Sequence, residues 1–136
     1  MPHFNKTFCR AHQKLMKKAM DYVEQKVPCI TFRPKTTSTF NFVSIHPGGP
    51  GCESELGMVG HGEQRMLLNS ECFDEKKYGL LKLVHELLHT LGFVHEQNRP
   101  DRDHFINVDL AHSGLSCLIW MSLFREAILS KETVIL

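Results

Sequence analysis

Long apolar runs are missing from this sequence. Its most apolar late stretch, Leu115 to Phe124, is too short to span a bilayer. The opening "MPHFNKTFCRAHQ" has no apolar h-region of the kind a secretory leader needs. Net charge is scarce too: 16 Lys and Arg against 15 Asp and Glu leave +1 with His neutral. A near-neutral chain has no electrostatic footprint for nucleic acid or an anionic membrane surface, so neither is expected as a partner. Cys-x-x-Cys pairs, Ser or Cys nucleophile arrangements, internal repeats and low-complexity segments are also absent. Tyrosine is limited to Tyr22 and Tyr78.

What is present suits one globular domain. At 136 residues, with 42% hydrophobic and 23% charged, the chain can bury a real core without relying wholly on crosslinks. Nothing in it sets an oligomeric state. Its 5 cysteines (Cys9, Cys29, Cys52, Cys72 and Cys117) exceed what a cytosolic domain of this size needs. Scattered as they are, they point to disulfides in an oxidising compartment, and the odd count leaves at least one thiol unpaired within the chain. Beside the missing leader, two alternatives stay open: the protein is not secreted, or this N-terminus is not its natural start.

Along the chain, "AHQKLMKKAMDYVEQKV" (Ala11 to Val27) spaces Ala11, Leu15, Ala19 and Val23 four residues apart with charges between, an amphipathic helix that Pro28 ends. Lys14, Lys17 and Lys18 read as its solvated face. "CITFRPK" and "TFNFVSI" read as two strands, and "HPGGPG" (His46 to Gly51) as a turn. "CESELGMVGHGEQRMLLNSEC" reads as glycine-punctuated loop with short strands, the clearest around Arg65 to Leu68. From roughly Lys76, Leu80, Leu81, Leu83, Val84, Leu87, Leu88 and Leu91 cover much of a helix circumference, so that helix is expected to be buried on more than one side. Gly92 ends it. The interleaving of strands and helices leaves α+β or α/β as the fold class.

The chemistry concentrates in "HELLHTLGFVHEQNRPDRD", His85 through Asp103. His85 and His89 stand one helical turn apart, so two imidazoles converge on one ion without bending the backbone. Glu86, offset around the helix, can reach a metal-activated water as general base. Gly92 permits a sharp exit that returns His95 as third nitrogen ligand. Three protein ligands plus water is the catalytic pattern, whereas a structural site is closed by four. A His-Glu-x-x-His alone is a weak signal in a chain with 9 histidines. Gly92 and His95 at these offsets make it specific. The other six histidines show no such register and read as surface or loop residues.

This run resembles the signature of the astacin family of zinc metalloendopeptidases, a branch of the metzincins; "GFVHEQNRPDRD" is what singles out astacins. Upstream, "YVEQKVPCITF" is similar to the family's helix, cysteine and first core strands, and "GCESELGMVGHGEQRMLLNSEC" to its cysteine-bracketed segment at the sheet edge. Downstream, "DHFINV" still fits. The resemblance covers roughly residues 11–109, leaving 1–10 unassigned and 110–136 as an unmatched tail. It implies an α+β fold: the N-terminal lobe of a metzincin-like protease, a twisted mixed sheet packed on two long helices, the second carrying the zinc motif. It also implies His85, His89 and His95 as ligands of one Zn²⁺ per chain, Glu86 as catalytic base, and a Cys52–Cys72 disulfide. Glu96 would match the glutamate that meets a mature N-terminus, and Cys29 a cysteine whose partner lies near the family's C-terminus. Substrates would be proteins or peptides lying extended along the edge strand, and location extracellular.

The tail departs from the pattern. The family carries a Ser-x-Met-His-Tyr turn after the zinc motif, with the methionine beneath the metal and the tyrosine as an extra ligand. Met121, in "IWMSLF", has neither the His nor the Tyr after it. Tyr78 is expected about 10 Å before His85 along the same helix, too far to substitute. The expectation is therefore an incomplete catalytic domain, truncated at both ends. Its rival is a non-catalytic zinc-binding or interaction module derived from an astacin.

Overall fold

Helix α1, Arg10–Lys26, forms where good helix formers (Ala, Lys, Gln, Leu, Met, Glu) run without glycine or proline. Its buried face is a paired stripe, Leu15 and Met16, Ala19 and Met20, then Val23. Ala11, expected at the head of that stripe, is exposed: the inward face begins one turn later, where the second helix passes. Lys14, Lys17 and Lys18 are exposed as expected, and Lys17 pairs with Asp21 one turn on at 2.7 Å. The Val27 N–H closes the last turn on the Val23 carbonyl, and Pro28 directs the chain out. This computed structural model describes residues 8–105, residue 107 and residues 133–135; Cys117, Met121 and the apolar stretch around them lie outside the described residues.

The strands expected from β-branched and aromatic runs are present. They are β1 (Thr31–Arg33), β2 (Phe42–Pro47), β3 (Cys52–Ser54) and β4 (Glu63–Leu68). β2 and β4 pair in parallel, and β3 adds antiparallel to the other side of β4, giving a three-stranded mixed sheet in the order β2-β4-β3. Alternation decides which side chains enter the core: Val43 and Ile45 from β2, Gln64, Met66 and Leu68 from β4. β1 is held to α1 by its Phe32 N–H, which donates to Glu24 Oε1 at 2.6 Å. It pairs in parallel with β5 (Thr133–Ile135), so three residues of the tail lie beside the first strand. No pattern in "ETVIL" announced that partner, because a three-residue strand is too short to show a period.

After β4 the chain takes two short 3-10 turns, Ser70–Phe73 and Glu75–Lys77. Asn69 and Asp74 cap them, their side-chain oxygens accepting from the N–H groups of Glu71 and Lys76. Helix α2 then runs Gly79–Thr90. The expectation of a longer helix from about Lys76, containing Tyr78, is corrected here. Lys76 belongs to the second 3-10 turn, and Tyr78 sits in the left-handed region at φ 64°, the only non-glycine there among the described residues. The break has a steric cause. Backbone atoms of Phe73 and Asp74 press against the start of α2, and the Gly79 N–H is spent on the Asp74 carbonyl at 2.9 Å.

The core lies between the two helices and the inner face of the sheet. Met16, Val23, Ile45, Met66, Leu68, Leu83 and Leu87 are fully buried there. α2 packs on α1, on β3 and on the Ser70–Phe73 turn. The Cys52–Cys72 disulfide joins β3 to that turn across a sequence separation of 20. It should contribute about 3 kcal/mol by restricting the unfolded chain. The architecture is α+β: two helices and a small mixed sheet.

Gly79 gives the first test. A Cβ there would lie 2.9 Å from the carbonyl carbons of both Phe73 and Asp74, backbone atoms that cannot swing aside. Gly79→Ala should lower the urea-measured unfolding free energy by about 1–3 kcal/mol. Gly51→Ala, where nothing lies within 4 Å, should stay within about 0.5 kcal/mol of the parent. Equal effects at the two positions would discard the steric explanation.

Candidate metal centre

α2 places His85 and His89 on one face, with their Nε2 atoms 3.0 Å apart. The helix then ends on Leu91 and Gly92 takes φ 94°. Gly92 N–H donates to the His89 carbonyl at 2.9 Å and Phe93 N–H to the Leu88 carbonyl at 3.1 Å. Those two bonds define a Schellman ending, which only a residue tolerant of positive φ can make cheaply. The chain reverses and delivers His95, whose Nε2 lies 3.2 Å from that of His85 and 3.1 Å from that of His89. A second contact pins the reversal. Gly57, in the loop after β3, donates its N–H to the His89 carbonyl at 2.8 Å. The two glycine backbones meet so closely that a Cβ on Gly57 would lie 3.6 Å from the Gly92 Cα.

Three nitrogens at 3.0–3.2 Å from one another do not make a proton-sharing network. His89 Nδ1 lies 2.7 Å from the Phe93 carbonyl, which can only accept, so Nδ1 carries a proton and Nε2 is the nitrogen turned toward the other two imidazoles. Burial, reinforced by the neighbouring imidazoles His89 and His95, holds the His85 pKa down at about 4. Burial and then His89 lower that of His95. The cluster thus favours neutral rings with converging lone pairs, the donor set that zinc takes. Nitrogens about 2.0–2.1 Å from a tetrahedral zinc are about 3.3 Å apart, so the spacing fits. Among the described residues, this is the group of His, Cys, Asp and Glu side chains that could hold a metal ion.

Glu86, next to His85 on α2, is 4% exposed. Burial raises its pKa, while a hydrogen bond from Ser54 and the nearby His89 act against the rise. Ser54 Oγ lies 3.0 Å from Glu86 Oε2 and 2.9 Å from its backbone carbonyl, so one hydroxyl on β3 addresses both. Ser54 was not anticipated from sequence. The available signal was its i+2 relation to Cys52, which puts both on the same side of the strand, toward α2.

Beyond His95, Arg99 donates to Glu96 Oε2 at 3.1 Å and, with two nitrogens, to Asp101 at 2.9 and 2.8 Å. Its guanidinium holds the Asp101 carboxyl below the usual range. Glu96 is therefore engaged by Arg99 in this chain. Two other histidines differ from the surface or loop residues expected. His12 stacks on the Phe73 ring with centroids 4.2 Å apart, and His46 meets Ser44 at 2.9 Å and Glu63 at 3.0 Å on the other face of β2. Both are half-buried.

Known proteins are similar to this chain in sequence and fold. The family model described as Astacin, a peptidase family, matches residues 2–113. Blastula protease 10 of Paracentrotus lividus is 39% identical over 100 residues, covering 69% of this chain and 16% of that protein. Zinc metalloproteinase nas-13 of Caenorhabditis elegans is 36% identical over 85 residues, 62% of this chain and 17% of its own. Among solved structures, high choriolytic enzyme 1, a hatching enzyme zinc-protease from Oryzias latipes (medaka fish), superposes with a TM-score of 0.65 at 31% identity, over 83% of this chain and 56% of that one. The chain thus spans about a sixth of these two curated relatives and just over half of the structural neighbour.

The histidine cluster predicts a pH dependence. In the metal-free unfolded chain His85 should take a proton as pH falls below its ordinary value of 6.5, whereas in the fold it stays neutral down to about 4. The unfolded state then binds more protons, so stability should fall as pH drops through that window and be fully present above it. Unfolding free energies of the metal-free chain, compared with His85→Asn, test this. The variant should show a shallower slope between pH 6.5 and 5, and identical slopes would refute the assignment.

Proposed function

This chain belongs to the astacin family, and on that premise we propose that it is the metal-holding lobe of a zinc-dependent metalloendopeptidase that hydrolyses peptide bonds in proteins. The observation that carries the reading is a buried carboxylate, Glu86, set within the same helical turn as a converging three-histidine cluster. We assign His85, His89 and His95 as ligands of one zinc per chain and Glu86 as the general base. We take residues 11–109 as the upper lobe and 110–136 as a tail; the family match reaches residue 113, and residues 114–136 lie beyond it.

Bound by the three imidazoles, zinc would supply Lewis acidity toward a water and the scissile carbonyl, with a fourth position left for them. The chain's own residues do the rest. Glu86 takes a proton from the attacking water on the carboxylate oxygen that Ser54 does not engage, then passes it to the leaving amine. Its burial suits that double role, because a raised pKa makes the carboxylate a better proton acceptor and the acid still able to donate. Leu83 and Leu87, fully buried on the same helix, anchor it in the core. β3 stands at one end of its sheet, and an extended peptide adding there would be held by main-chain hydrogen bonds. The disulfide Cys52–Cys72 fits an extracellular location. Among the described residues no helix is long and apolar enough to cross a membrane.

One observation favours the non-catalytic rival for this polypeptide by itself. Neither tyrosine stands on the stretch that carries the three histidines: Tyr22 is on α1, and Tyr78 is 60% exposed ahead of α2. We therefore expect zinc binding with little turnover from the 136 residues alone, and activity from a protein that supplies the lower side of the cleft.

Metal analysis should find near-equimolar zinc in the purified chain and almost none in His89→Ala. Zinc retained by that variant would remove the ligand assignment. In a protein carrying a complete cleft, Glu86→Gln should keep the zinc and lose about 10²–10⁴ in kcat, as removal of a general base does. A Glu86→Gln variant cleaving a fluorogenic peptide at the parent rate would end the general-base assignment.

A further inference from the structure

His85 and His89 are delivered by one helix, so their relative placement is set by α2 itself. His95 has no such support. It stands after the Gly92 reversal, on a stretch whose regular structure is two single 3-10 turns, Glu96–Asn98 and Arg102–His104. Turns of this length have poor hydrogen-bond geometry and little cooperativity. A ligand must nonetheless be held to within about 0.5 Å of its productive position.

The side chain that spans the stretch is Arg99. Its Nη1 donates to Glu96 Oε2 at 3.1 Å, while Nε and Nη2 donate side by side to the two oxygens of Asp101 at 2.9 and 2.8 Å. The guanidinium also stacks 5.6 Å from the Phe105 ring centroid. Glu96 is the residue bonded to His95, and Asp101 opens the second turn. One planar cation therefore clamps the residue after the third histidine to the next turn of chain. A lone surface ion pair would do little. Here the Asp101 contact is bidentate, three groups share one cation, and the Glu96 side chain is only 17% exposed.

We propose that Arg99 is a positioning residue for His95: by fastening Glu96 to Asp101 it keeps the third imidazole in register with His85 and His89, and so sets the affinity of the site for its divalent metal. The proposal rests on the reading of those three histidines as ligands. It requires arginine in particular, because a lysine ammonium is a point charge that can meet one carboxylate but not fork between two.

The test is a zinc titration of the 136-residue chain against a chromophoric chelator, with cobalt as a spectroscopic stand-in. The parent chain is the control for the site itself: if it binds no metal, the ligand assignment fails and this proposal with it. If it binds, Arg99→Ala should weaken zinc about tenfold, the low end of what outer-shell changes cost. Arg99→Lys should fall between the two, and Asp101→Asn should lose affinity in the same direction but less. The decisive arm is the His95→Ala background, where Arg99→Ala should cost nothing further, since the ligand it positions is gone. The cobalt spectrum of Arg99→Ala should shift toward that of His95→Ala. Melting of the metal-free variants near the parent temperature accompanies this result. Unchanged affinity in Arg99→Ala would overturn the proposal. So would a loss that persists undiminished without His95, which would make Arg99 a general stabiliser.

Discussion

The reversal of the chain at Gly92 is the constraint on which the rest depends. Two of the three imidazoles follow from helix periodicity, but the third reaches them only because the backbone turns back within a few residues. The His89 carbonyl accepts from both Gly92 and Gly57, so the same atom ends the helix and receives the loop that follows β3. Both glycines take positive φ, 66° at Gly57 and 94° at Gly92, so a side chain at either would strain the backbone there. The histidine cluster is thus joined to the loop after β3 through backbone, before any side chain of the site is considered.

A second link runs through Ser54. Burying a carboxylate is costly unless its oxygens find donors, and the donor for Glu86 comes from β3 rather than from its own helix. β3 in turn is held by β4 on one side and by the Cys52–Cys72 disulfide to the turn before α2. Sheet edge, disulfide and the buried Glu86 therefore form one mechanical unit. This explains why a segment with so many glycines still presents an ordered strand to the helix. Beyond His95, Arg99 likewise ties Glu96 to Asp101 across an otherwise irregular stretch.

Much of this was legible along the chain. The four-residue spacing of Leu15, Ala19 and Val23, the alternation of Val43 and Ile45, and the His85, Glu86, His89, Gly92, His95 offsets are local periodicities. Local periodicity survives folding because it reflects helix and strand geometry. Other features were illegible for equally physical reasons. The break at Tyr78 arises from a backbone contact with Phe73 and Asp74, residues whose closeness to Gly79 depends on the capped turn Glu75–Lys77 between them. The placement of Thr133–Ile135 beside β1 joins segments about a hundred residues apart, and three-residue strands carry too little pattern to announce a partner.

Sequence alone therefore determined the helix α1, the strands β1 to β4, the spacing of the three histidines and the resemblance to the family, since each of these is written in short-range spacing of residue types. Tertiary structure alone decided that Ser54 is the partner of Glu86, that His89 is held in one tautomer by the Phe93 carbonyl, and that Glu96 is taken up by Arg99. The division follows from the interactions involved. Periodicity and turn chemistry act over a few residues, whereas a buried charge must be satisfied by whichever donor packing brings within about 3 Å.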